Sequence, residues 1–88
     1  MSEEKKADYL EQGFSKLVEK QLEKYFASHS KGSIPPGLYE RIINEVEKIV
    51  INVTLKHVDG NQLQASKILG INRNTLRKKI LKYAGEDR

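Results

Sequence analysis

The chain has 88 residues, of which 38% are hydrophobic and 32% charged, enough for one small domain with a limited core. With two His, no Cys and no long apolar run, it excludes a disulfide frame, a thiolate site, a zinc site built from His alone, and a span of the roughly 20 apolar residues that a bilayer demands. The net charge of +4 is unevenly placed: residues 1–44 carry seven basic and seven acidic side chains and residues 45–88 carry nine and five, so the surplus marks the C-terminal half as a polyanion-binding end.

In chain order, residues 1–7 read as a charged, disordered tip or linker remnant without the apolar stretch of a signal peptide. Residues 8–28 predict a first helix, because Leu10, Phe14, Leu17, Val18, Leu22, Tyr25 and Phe26 recur at spacings of three and four. A polar loop, Ser28 to Ser33, contains Gly32, and Pro35-Pro36 then opens a second helix running to about Val58. The first half of that helix has an apolar stripe of Leu38, Ile42, Val46 and Ile49. Its second half, Ile49 to Leu55, is β-branched and apolar on nearly all sides and would pass for a strand in isolation. Helical spacing of Val46, Ile49, Val50, Val53 and His57, with no hairpin turn following, favours the helix. A helix so apolar needs cover on more than one side, and a second subunit is the natural cover in a domain this small.

Asp59-Gly60 ends the second helix, the glycine taking the left-handed position. Asn61 caps a third, two-turn helix from Gln62 to Leu69, with Gln64 placed to complete a capping-box pair. Gly70 turns the chain, Ile71 plugs the turn, and Asn72 caps a fourth helix from Arg73 to about Tyr83, after which residues 84–88 fray. Ala65 and Ser66 are small where two helices must cross, and Ile68, Leu69, Ile71, Leu76 and Ile80 supply a shared core, which together predict a helix-turn-helix. From Asn61 to Tyr83 there are six Lys or Arg and no Asp or Glu. On the fourth helix Asn74, Arg77 and Lys78 face away from Leu76, Ile80 and Tyr83, with Thr75, Lys79 and Lys82 on the flanks. Asn72 and Arg73 lie at the N-terminal end, the part a recognition helix pushes deepest into the major groove.

Basic runs are usually solvated faces, and the missing acids together with the turn pattern are what distinguish this one. The six aromatics follow helical stripes and read as core rather than as a base-stacking platform, and Glu45 and Glu47 fall on different faces and form no acid/base pair. No nucleophile triad or phosphate-binding glycine loop is present, so an enzyme is not expected and no cofactor is implied. The fourth helix is too short and polar to insert in a membrane.

The segments Gly60-Asn61-Gln62, Ala65, Leu69 to Arg73 and Asn74 to Ile80 resemble the Fis-type helix-turn-helix. Upstream, Leu22 to His29, Pro35 to Tyr39 and Glu45-Val46-Glu47 resemble the C-terminal DNA-binding domain of NtrC-type bacterial enhancer-binding activators. Asn74 stands where Fis itself usually has glycine and agrees with the activator branch. The resemblance implies an all-α, four-helix protomer whose residues 8–58 dimerise through the first two helices and whose residues 61–83 meet double-stranded DNA. It implies base contacts by Asn72, Arg73, Asn74 and Lys78, and phosphate contacts by Asn61, Gln62, Thr75, Arg77, Lys79 and Lys82. It likewise implies a dimer interface of Leu17, Leu22, Phe26, Ile42, Val46, Ile49, Val50 and Val53. The expected protein is a cytoplasmic, nucleoid-associated homodimer reading a palindromic site, its half-sites roughly 34 Å apart. In a full-length activator it would tether an AAA+ ATPase domain near a promoter served by sigma-N RNA polymerase. The alternative is a free-standing Fis-like nucleoid protein that bends DNA with low sequence specificity.

Overall fold

A computed structural model describes the backbone of residues 3–86 and the side chains of residues 9–85. Four helices and no strand occur among these residues: α1 (Glu3–Ala27), α2 (Leu38–His57), α3 (Gln62–Leu69) and α4 (Arg73–Glu86). The all-α expectation holds, including the β-branched run from Ile49 to Leu55, which lies wholly within α2. Thr54, a β-branched polar residue there, returns its Oγ1 to the Val50 carbonyl at 2.7 Å.

The chain forms two compact units, Met1–Pro36 and Gly37–Arg88. The first is α1 with its C-terminal loop. The helix starts at Glu3 and not at residue 8, because Glu, Lys and Ala in residues 3–7 are all strong helix formers. At its other end the Ser28 hydroxyl and His29 Nδ1–H both donate to the Tyr25 carbonyl, at 2.9 and 2.8 Å, and cover an otherwise orphaned acceptor.

In the second unit α2 begins at Leu38, two residues later than the prolines predicted. Gly37 sits at the N-cap with φ 91, a left-handed conformation that cannot belong to the first turn, so Pro35-Pro36 lie before the helix. α2 has two opposed apolar faces. At about 100° per residue, Asn44, Glu47, Ile51, Leu55 and Val58 fall on one side, and Leu38, Ile42, Val46, Ile49 and Val53 roughly half a turn away. The first side carries the core: Ile51, Ala65, Leu76 and Tyr83 are buried, with Leu55, Val58, Leu69, Ile71 and Ile80 packed against them. Ile68, expected in that core, is 59% exposed, because α3 turns Gln62, Ala65, Ser66 and Leu69 inward over its two turns. The fourth helix continues past Tyr83 to Glu86, so the tail expected to fray from residue 84 is helical for three further residues. The expectations for residues 1 and 2 and for 87 and 88 lie outside the described residues.

Candidate nucleic-acid interface

The α2–α3 junction is a Schellman turn. The Gly60 N–H donates to the Leu55 carbonyl at 2.8 Å and the Asp59 N–H to the Lys56 carbonyl at 3.2 Å. Gly60 (φ 82) takes the left-handed conformation that the sequence assigns it, and Asp59 (φ 53) before it is left-handed as well. Aspartate tolerates this conformation better than most residues.

Asn61 then caps α3, its Oδ1 accepting from the Gln64 N–H at 3.1 Å. The capping box is half-formed, since the Asn61 N–H donates to the Val58 carbonyl at 3.0 Å instead of to Gln64. The compact turn brings that carbonyl within reach first. At the far end of α3, Gly70 is left-handed with φ 71, and both its N–H and that of Ile71 donate to the Ser66 carbonyl, at 2.9 and 3.1 Å. These two hydrogen bonds to one acceptor reverse the chain within two residues and set the partly buried Ile71 against the core. Ser66, itself buried, satisfies its hydroxyl at the Leu63 carbonyl at 2.7 Å. Asn72 Oδ1 accepts from the Asn74 N–H at 2.8 Å and starts α4.

α4 docks by Leu76, which is fully buried, by Tyr83 and by Ile80. Its opposite face is solvent. Asn72, Arg73 and Asn74 at the N-terminal end, Thr75 beside them, and Arg77 and Lys78 one turn on are all exposed. Arg73, Arg77 and Lys78 have no ion pair among the described residues. Asn61 and Lys67 are exposed and Gln62 is half-buried. The four residues expected at bases are thus all exposed, as are Asn61, Thr75, Arg77 and Lys82 among those expected at phosphates.

Lys79, also expected at phosphate, is half-buried. Its ammonium lies 2.9 Å from Glu47 Oε2, both side chains about one-third exposed. The Tyr83 hydroxyl donates to the other Glu47 oxygen, and Lys82 Nζ reaches Asn44 Oδ1 at 3.5 Å while lying 5.1 Å from the centre of the Tyr83 ring. Lys79 and Tyr83 hold the Glu47 carboxyl below the usual carboxylate range, against the opposing effect of partial burial. A charge count along residues 61–83 misses this partner because it stands on another helix, 32 positions upstream. The signal available was the run Asn44, Glu47, Ile51, Leu55, Val58, whose spacing places Glu47 on the core-facing side of α2.

Five of the eight residues expected in a subunit interface are exposed apolar side chains. On α2, Ile49 is 56%, Val50 41% and Val53 61% exposed, while Ile42 and Val46 are half-buried. On α1, Leu17 and Phe26 are exposed and Leu22 half-buried. No helix among the described residues is long and apolar enough to cross a membrane, and no cluster of His, Cys, Asp or Glu there could hold a metal ion.

Two short helices about a glycine turn, the second offering a cationic face, define a helix-turn-helix domain. The sequence model of the family described as bacterial regulatory protein, Fis family, matches residues 42–83, from the first half of α2 to the last core residue of α4. A DNA-binding protein Fis of Buchnera aphidicola is 40% identical over 75 residues, covering 85% of this chain and 76% of its own length. The DNA-binding transcriptional regulators NtrC of Azospirillum brasilense and Rhizobium meliloti are 49% and 47% identical over 69 and 66 residues, 78% and 75% of this chain. The chain spans 14% of the length of these two NtrC proteins. This chain belongs to the Fis family.

Proposed function

We propose that the chain is a homodimeric, sequence-specific binder of double-stranded DNA that tethers a transcriptional activator to an upstream enhancer. Family membership makes it a helix-turn-helix DNA-binding domain and not an enzyme. The observation that carries the finer reading is the solvent face of α4, where Arg73, Asn74, Arg77 and Lys78 stand exposed with no described carboxylate paired to the three cations. Arg73 and Lys78 suit the O6 and N7 acceptors of guanine, and the amides of Asn72 and Asn74 suit base edges beside them. Asn61, Gln62, Thr75, Arg77 and Lys82 hold the flanking phosphates. Leu17, Leu22, Phe26, Ile42, Val46, Ile49, Val50 and Val53 are covered by a second copy, so that two recognition helices face adjacent major grooves. In a longer parent the domain places an AAA+ ATPase domain near sigma-N RNA polymerase. The 49% identity to an NtrC regulator and Asn74 support this over a free-standing nucleoid protein.

The test is binding to a selected palindromic site and to random duplex. A specific binder favours its site by about 10³-fold or more. Arg73→Ala should erase base preference at one position, costing about 1–3 kcal/mol there. Equal affinity for every duplex would leave the nucleoid reading in its place.

A further inference from the structure

We infer that Glu47 is a positioning residue that withholds Lys79 from the duplex and so sets how many cations each recognition helix offers to phosphate. The inference rests on the DNA-binding reading above. It is drawn from a contrast within α4: Arg73, Arg77 and Lys78 have no described ion pair, whereas Lys79 is tied back to α2 through Glu47, which Tyr83 also contacts. The Lys79–Glu47 pair, 2.9 Å across, has no net charge. A neutral pair releases no counterion when a phosphate approaches, so Lys79 adds nothing to the salt dependence of binding while Glu47 is ionised. The carboxylate competes with phosphate for the same ammonium. Non-specific affinity is lowered by that competition, and base contacts at Asn72 to Lys78 carry a larger share of the binding. The Tyr83 hydroxyl occupies the second carboxylate oxygen and is itself seated in the core, which keeps Glu47 aimed at Lys79.

The experiment measures the slope of log K against log salt for the full chain on random duplex, with circular dichroism to confirm folding. Glu47→Gln frees the cation and should steepen the slope by ~0.9 per protomer. It should also tighten random-duplex binding at low salt and narrow the preference for a specific site. The double variant E47Q/K79Q replaces a neutral pair by a neutral pair and should reproduce the wild-type slope. Where Glu47→Gln does not fold, the double variant decides alone: a slope shallower by ~0.9 per protomer means that Lys79 already bears on phosphate, and overturns the inference. An unchanged slope in a folded Glu47→Gln variant overturns it as well. Wild-type protein that binds no duplex at any salt overturns the DNA-binding reading itself, and this inference with it.

Discussion

Glu47 serves stability as well as charge. Its carboxyl is held below the usual carboxylate range by Lys79 and Tyr83, so its folded-state value lies below its unfolded one. The stabilisation is therefore complete above the unfolded carboxylate value, about 4.3, and disappears as pH falls from there through the folded value. Urea midpoints measured from pH 6 to pH 2.5 should show this acid limb flattened in Glu47→Gln. A limb identical to that of the wild type would assign acid sensitivity to other carboxylates.

The α3–α4 pair depends on very few buried side chains, and each carries much of the load. Leu76 is fully enclosed, so Leu76→Ala should cost about 2–5 kcal/mol, measured by chemical denaturation. Small domains have 5–15 kcal/mol in total, so this variant should bind DNA poorly even though Leu76 lies on the face opposite the exposed cations. At this scale the sequence was highly legible. The bounds of α3, the cap at Asn61, the reversal at Gly70 and the start of α4 at Arg73 all stand where residue chemistry places them, because caps and left-handed glycines act within a few positions. The start of α2 was less legible. Pro36 and Gly37 both signal a boundary, and only the backbone geometry shows that glycine holds the cap.

For the molecule as a whole, the decisive feature is the second apolar face of α2. Ile49 and Val53 stand opposite Ile51 and are more than half exposed in the single chain. If water covers that face in solution, Val53→Asp should change stability by no more than about 0.5 kcal/mol. If a second copy covers it, the same change should split the dimer. We expect sedimentation equilibrium to give a dimer at micromolar concentration for the wild type and a monomer for Val53→Asp. The wild-type unfolding temperature should also rise with protein concentration. A wild-type monomer at those concentrations would remove the homodimer from the proposal.

Residue order alone determined the four-helix, all-α plan and the helix-turn-helix, because periodicity, caps and turn residues act over one or two helical turns. It also set apart a cationic C-terminal half. Tertiary structure alone decided which of those cations are free. Glu47 and Lys79 are far apart along the chain and meet only because α2 and α4 share the core around Ile51, Leu76 and Tyr83. Coulomb energy depends on distance in space and not on distance in sequence.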